Sequence, residues 1–146
     1  MREMNYQQTL AVPIDAAWAV LEDYGAFIEW NPINVPYEVV GDGIGMIRYL
    51  DIPGLGRLGE RLDHLDRSQR SLSYSLTEGE PLGMKTYTAE LQLKPESDGT
   101  CTLCWIGRFT GGEGADLDEM ATNLAGSYAR MSTALEQYVQ RQQVAP

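Results

Sequence analysis

Between Ser71 and Thr77 every second residue is apolar: Leu72, Tyr74 and Leu76 alternate with Ser71, Ser73, Ser75 and Thr77. Successive side chains of a strand point to opposite faces, so the pattern predicts one buried face and one wet face. Two later runs repeat it. Tyr87, Ala89, Leu91 and Leu93 alternate with Thr86, Thr88, Glu90 and Gln92, and Leu103, Trp105 and Phe109 share a face with Cys101 and Gly107. Turn-forming clusters at Gly41-Asp42-Gly43, Pro53-Gly54-Leu55-Gly56, Arg67-Ser68-Gln69-Arg70, Glu78-Gly79-Glu80-Pro81 and Ser97-Asp98-Gly99 divide Tyr37 to Phe109 into about six antiparallel strands. Glu3 to Val12 alternates more loosely and predicts a first strand.

Elsewhere the period is helical. Pro13-Ile14-Asp15 opens a helix with Asp15 as N-cap, and the apolar run Ala16 to Leu21 carries it to Glu22-Asp23. A second short helix over Ala26 to Glu29 must stop at Trp30-Asn31-Pro32, because a residue before proline is driven out of helical geometry. Near the C-terminal end Asp116 and Glu119 form an Asp-x-x-Glu variant of the capping box. Beyond it Leu117, Met120, Ala121, Leu124, Tyr128, Met131, Leu135 and Tyr138 make one apolar stripe, with Asp118, Asn123, Arg130 and Gln137 on the opposite face. The order predicts an α+β fold: one strand, two short helices, six strands and a long helix packed on the sheet.

At 146 residues the chain matches one domain, residues 1–146, and 43% hydrophobic content can fill a core. Charge narrows the partners. With 11 Lys plus Arg against 21 Asp plus Glu the net charge is −10, which disfavours nucleic acid and anionic membrane surfaces. The first residues lack an apolar signal core, and no run approaches the ~18 apolar residues of a spanning helix, so a cytoplasmic protein without membrane insertion is expected. Cys101 and Cys104 stand three apart on a strand and face opposite ways, which fits structural thiols better than a redox pair.

Hairpin symmetry then predicts who shares the inner face. Arg48 lies opposite Glu60, Glu60 opposite Leu76, and Leu62 opposite Tyr74; further along, Tyr74 faces Tyr87, Tyr87 faces Gly107 and Ala89 faces Trp105. The resulting rows are Arg48, Glu60, Leu76, Lys85, Phe109 and Met46, Leu62, Tyr74, Tyr87, Gly107. Alternation also sets His64 on this face. A carboxylate there needs a partner, since burying it alone costs several kcal/mol, and Arg48 and Lys85 are the candidates. Glu60 is then either structural, as an ion pair or a rim residue reaching water, or a ligand-anchoring or acid-base group. Tyr74, Tyr87 and Trp105 are core residues whose polar tips also suit a wet pocket, and Met120, Leu124 and Tyr128 face the same space from the helix. A single histidine gives no metal site, and Gly111-Gly112-Glu113-Gly114 lacks the Lys-Ser/Thr of a phosphate loop, so neither metal nor cofactor is expected.

Several segments resemble the polyketide cyclase/dehydrase-like branch of the START-like (SRPBCC) superfamily. They are Pro13-Ile14-Asp15-Ala16-Ala17-Trp18, Glu29-Trp30-Asn31-Pro32, Gly45-Met46-Ile47-Arg48, Glu60-Arg61-Leu62-Asp63-His64-Leu65-Asp66, Leu72-Ser73-Tyr74 and Trp105-x-Gly107-Arg108-Phe109. The resemblance implies a helix-grip fold, a curved seven-stranded sheet wrapped around the C-terminal helix over an internal cavity. Members include lipid carriers, polyketide aromatase/cyclases, pollen-allergen-like proteins and abscisic acid receptors. By position, the receptors' pocket glutamate and tyrosine correspond to Glu60 and Tyr87, and their mouth loops to residues 52–56 and 79–83.

Two functions follow as expectations. One is a carrier or sensor, monomer or homodimer, that binds a small hydrophobic or amphipathic molecule, with Arg48, Glu60 and Lys85 as polar anchors. The other is a cofactor-independent cyclase or dehydratase with Glu60 as acid or base. Acid-base work at neutral pH needs a carboxylate destabilised by burial, whereas a guanidinium partner favours its ionised form, so an Arg48 contact points to anchoring.

Overall fold

The computed structural model describes residues 1–31 and 33–144. Seven strands form one antiparallel sheet in the order β1-β7-β6-β5-β4-β3-β2. They are β1 Arg2–Leu10, β2 Tyr37–Val40, β3 Ile47–Ile52, β4 Gly56–Asp66, β5 Ser71–Glu78, β6 Met84–Pro95 and β7 Cys101–Gly111. From β2 onward each strand pairs with the next, as short hairpin loops require, and β1 joins the far side of β7. Two helices, α1 (Ile14–Leu21) and α2 (Phe27–Trp30), lie between β1 and β2 with a 3-10 turn at Tyr24–Ala26, and α3 (Leu117–Val144) follows β7. This is the expected helix-grip arrangement. Among the described residues no helix is long and apolar enough to cross a membrane.

Alternation holds where it was clearest. In β7 every second residue from Cys101 to Phe109 is buried, and Cys101 and Cys104 are free thiols on opposite faces. On α3 the buried stripe runs Met120, Ala121, Leu124, Tyr128, Ser132, Leu135 and Val139. Strict four- and three-residue steps from Tyr128 select Ser132 and Val139, so the expected Met131 and Tyr138 are only partly buried. Helix starts are mixed. Asp116 Oδ1 accepts the Glu119 N–H at 3.1 Å, as a capping residue does, but α1 is entered through Pro13, and Asp15 sits in its first turn and reaches Arg70 at 2.7 Å. The α2 helix ends at Trp30; Pro32, the expected stop, lies outside the described residues, as do Ala145 and Pro146.

Irregularities in pairing shape the sheet. Arg48 faces Glu60, Glu60 faces Leu76 and Leu62 faces Tyr74, all as hairpin symmetry predicts. Farther on the register is shifted by two residues: Tyr74 faces Ala89, Tyr87 faces Phe109 and Ala89 faces Gly107. A slip of two keeps each residue on its face, so the rows change partners without changing sides. Bulges do change sides. One between Leu62 and His64 turns His64 out to solvent and brings Leu65 opposite Leu72, and one between Met84 and Thr86 buries Met84 and turns Lys85 out. Pairing of β5 with β6 is confined to Ser71–Ser75 and Thr88–Gln92, and Pro81, Leu82 and Met84 beyond it border the space under α3.

Candidate functional site

Opposed on β3 and β4, Arg48 and Glu60 are 5% and 7% exposed, on the face that carries Leu50 and Leu62. Arg48 Nε donates to Glu60 Oε1 at 3.1 Å. The guanidinium carbon lies 4.0 Å from the ring centre of Phe27, 4.3 Å from Tyr24 and 4.8 Å from Tyr74, so three aromatic faces surround the cation. Burial disfavours the charge on Arg48, yet the acidic groups around it, Tyr24, Glu60, Tyr74 and Tyr37 taken together, outweigh that cost over the whole titration and keep its pKa above the ordinary arginine value. The Tyr24 hydroxyl donates to the Glu60 carbonyl oxygen at 3.1 Å, tying the turn after α1 to β4.

A chain of phenols continues from this pair. The Tyr74 and Tyr87 hydroxyls are 3.4 Å apart, and those of Tyr87 and Tyr128 are 2.5 Å apart. Burial raises the pKa of Tyr24, Tyr74, Tyr87 and Tyr128 above the ordinary tyrosine value, so all four are neutral hydroxyls at physiological pH. Glycine makes the last contact possible. A Cβ on Gly107 would lie 2.6 Å from Tyr128 Oη and 2.8 Å from Leu124 Cδ2, so α3 can approach β7 this closely only over a residue without a side chain. The Trp105 ring stacks on Tyr128 with centroids 4.2 Å apart, and its Nε1 donates to Ser132 Oγ at 2.9 Å.

Between the sheet and α3 lies a cavity of about 400 Å³. Arg48, Glu60, Tyr74 and Tyr87 supply polar groups to a wall that includes Phe27, Leu50, Ile52, Leu58, Met84, Leu124 and Met131, with Asn31 and Ser127 as further polar members. Its exposed lining residues, Ile33, Leu55, Leu82 and Arg130, mark the mouth. Leu82 stands at φ 55°, in the left-handed region that a branched side chain rarely adopts, within the β5–β6 connection.

Of the residues singled out from sequence, Arg48, Glu60, Tyr74, Tyr87 and Leu124 border this cavity. The others lie elsewhere. Leu62, Trp105 and Tyr128 are buried behind the wall, and Trp105 instead borders a separate void of about 20 Å³ shared with Arg48 and Tyr74. Met120 is buried against the backbone at Gly111, where a Cβ would sit 3.2 Å from its sulfur. Lys85 is displaced by its bulge, its side chain 51% exposed and bonded to Glu80 at 2.9 Å, and it does not border this cavity. Arg130 also moves: assigned by periodicity to the outer face of α3, it borders the mouth beside Ser127. The legible signal was Ser127 itself, a polar residue on the line of Met120, Leu124 and Met131.

A family model described as polyketide cyclase/dehydrase and lipid transport matches residues 1–140. No curated protein matches the sequence. Similar solved structures include the protein XoxI of Bacillus cereus, 22% identical over 99% of this chain and 100% of that one with a TM-score of 0.81. A protein of Nitrosospira multiformis is 20% identical over 93% of this chain and 94% of that one, TM-score 0.75. Norcoclaurine synthase of Thalictrum flavum, in complex with dopamine and hydroxybenzaldehyde, is 19% identical over 96% of this chain and 87% of that one, TM-score 0.76. At these identities the likeness is one of fold.

Proposed function

The chain belongs to the polyketide cyclase/dehydrase and lipid transport (SRPBCC) family, and from that premise we propose that it binds a small amphipathic molecule between sheet and helix, as a carrier or sensor. The observation that carries the reading is a buried ion pair set in the wall of a largely apolar cavity. A well-packed pair of apolar residues would hold the sheet as firmly, so stability alone gives no reason for Arg48 and Glu60. Recognition does. A guanidinium has five N–H donors, of which Nε is committed to Glu60, and the cavity borders both partners, so a bound oxygen or hydroxyl can complete the set. A volume of about 400 Å³ lies within the range of small-molecule sites. The Arg48 contact supports anchoring over acid-base turnover, because Glu60 Oε1 already accepts from a permanent cation.

Native mass spectrometry of protein purified from its own host should show a bound small molecule, and extraction would identify it. The neutral dye 1-aminoanthracene should bind saturably to the emptied protein. In Met131→Trp, which fills the cavity from α3, uptake should fall at least tenfold with the circular dichroism spectrum unchanged. Neither bound molecule nor dye uptake would end the binding reading.

A further inference from the structure

We propose that the molecule taken up is an amphipathic anion whose acid group rests at the cavity mouth on Arg130; this rests on the binding reading above. Acids outnumber bases 21 to 11 in this chain, and nearly every cation is accordingly matched. Among the described residues every Lys and Arg except Lys94, Arg130 and Arg141 has a carboxylate within ion-pair distance. Of these three, Arg130 alone borders the cavity under α3. The charged residues lining that cavity are Arg48, Glu60 and Arg130, and the first two cancel. Its lining therefore carries one net positive charge in a molecule of net charge −10.

The cation is held toward the cavity. Arg130 Nη2 donates to Ser127 Oγ at 3.1 Å, and Ser127 is itself a lining residue. The side chain lies back along the helix over Gly126, where an added Cβ would stand 3.4 Å from Nη1. Exposed apolar residues Ile33, Leu55 and Leu82 border the same mouth. Apolar rim and unpaired cation together match the junction between a hydrocarbon body and an anionic head.

The buried pair does not suit the acid. A second carboxylate beside Arg48 would share one cation with Glu60 out of water, and like charges in low dielectric repel strongly. A neutral oxygen fits there, whereas an acid at Arg130 stays hydrated while its chain is buried.

Isothermal titration at pH 8 with decanoate, 1-decanol and decyltrimethylammonium separates the possibilities, since the three share a ten-carbon chain and differ in head charge. Decanoate should bind about tenfold more tightly than decanol, consistent with a charge-assisted hydrogen bond, and the ammonium most weakly. Arg130→Gln should bring decanoate to the level of decanol and leave decanol unchanged, and Arg130→Lys should restore part of the preference. Decanol binding as tightly as decanoate, or a preference that survives Arg130→Gln, would overturn the charge assignment and leave the binding reading standing. Failure of all three to bind would overturn both.

Discussion

Removing Arg48 alone should cost far more stability than removing Arg48 together with Glu60. Arg48→Met leaves an unpaired carboxylate on a face where Glu60 is 7% exposed, at a cost of about 3–5 kcal/mol. Adding Glu60→Leu removes the stranded charge, so the double variant should recover to within about 1 kcal/mol of the parent or exceed it. Urea denaturation reads both outcomes. A double variant as unstable as the single one would make the pair structural and remove the main support for a recognition role. This pair was legible in the sequence because a two-residue period broken by one carboxylate is conspicuous, and the short β3–β4 turn fixes which cation lies opposite. The aromatic cage was not. Tyr24 and Phe27 reach Arg48 from a turn and a short helix whose position over the sheet depends on packing that no local pattern encodes.

At the scale of the strand, the parity of alternation carried most of the inner face, and bulges account for its failures. Met84 and Lys85 exchange sides because an unpaired residue in β6 resets the count, and His64 leaves the inner face by the same device in β4. Neither bulge has a sequence mark comparable to a turn glycine, since each follows from how two long paired strands accommodate each other. Lys85→Ala tests the assignment. With its ammonium in solvent on Glu80, the substitution should change stability by less than about 0.5 kcal/mol and leave 1-aminoanthracene affinity unaltered. A several-fold loss of dye affinity would return Lys85 to the cavity and refute the bulge. The helix shows a milder version of the same limit: stripe membership was legible, but which edge of the stripe meets the cavity depends on how α3 is rotated, and that rotation brings Arg130 to the mouth.

For the molecule as a whole, four buried phenols, three of them hydrogen-bonded in a chain, tie regions distant in sequence into one titrating unit. Tyr24 comes from the turn before α2, Tyr74 from β5, Tyr87 from β6 and Tyr128 from α3, so exposing all four requires the sheet, the short helices and the long helix to separate. Burial raises each folded-state pKa above the ordinary value of 10.0, and near pH 7 both folded and unfolded chains keep these protons. Above pH 10 the unfolded chain releases them first and binds fewer protons than the folded one, so stability falls as pH rises. The contribution is complete below pH 10 and is lost progressively above it. Each phenol that ionises only after unfolding costs about 1.4 kcal/mol per pH unit, and four give roughly 6 kcal/mol by pH 11, comparable with the whole stability of a domain. Burial of the Cys101 thiol, pushed up to about 11, acts in the same direction. Far-UV circular dichroism and tyrosinate absorbance at 295 nm should therefore change together in one cooperative alkaline transition. Ionisation of these tyrosines at pH values where the dichroism is still native would show that the buried phenols open locally, and that sheet and helices are not the rigid unit their hydrogen bonds describe.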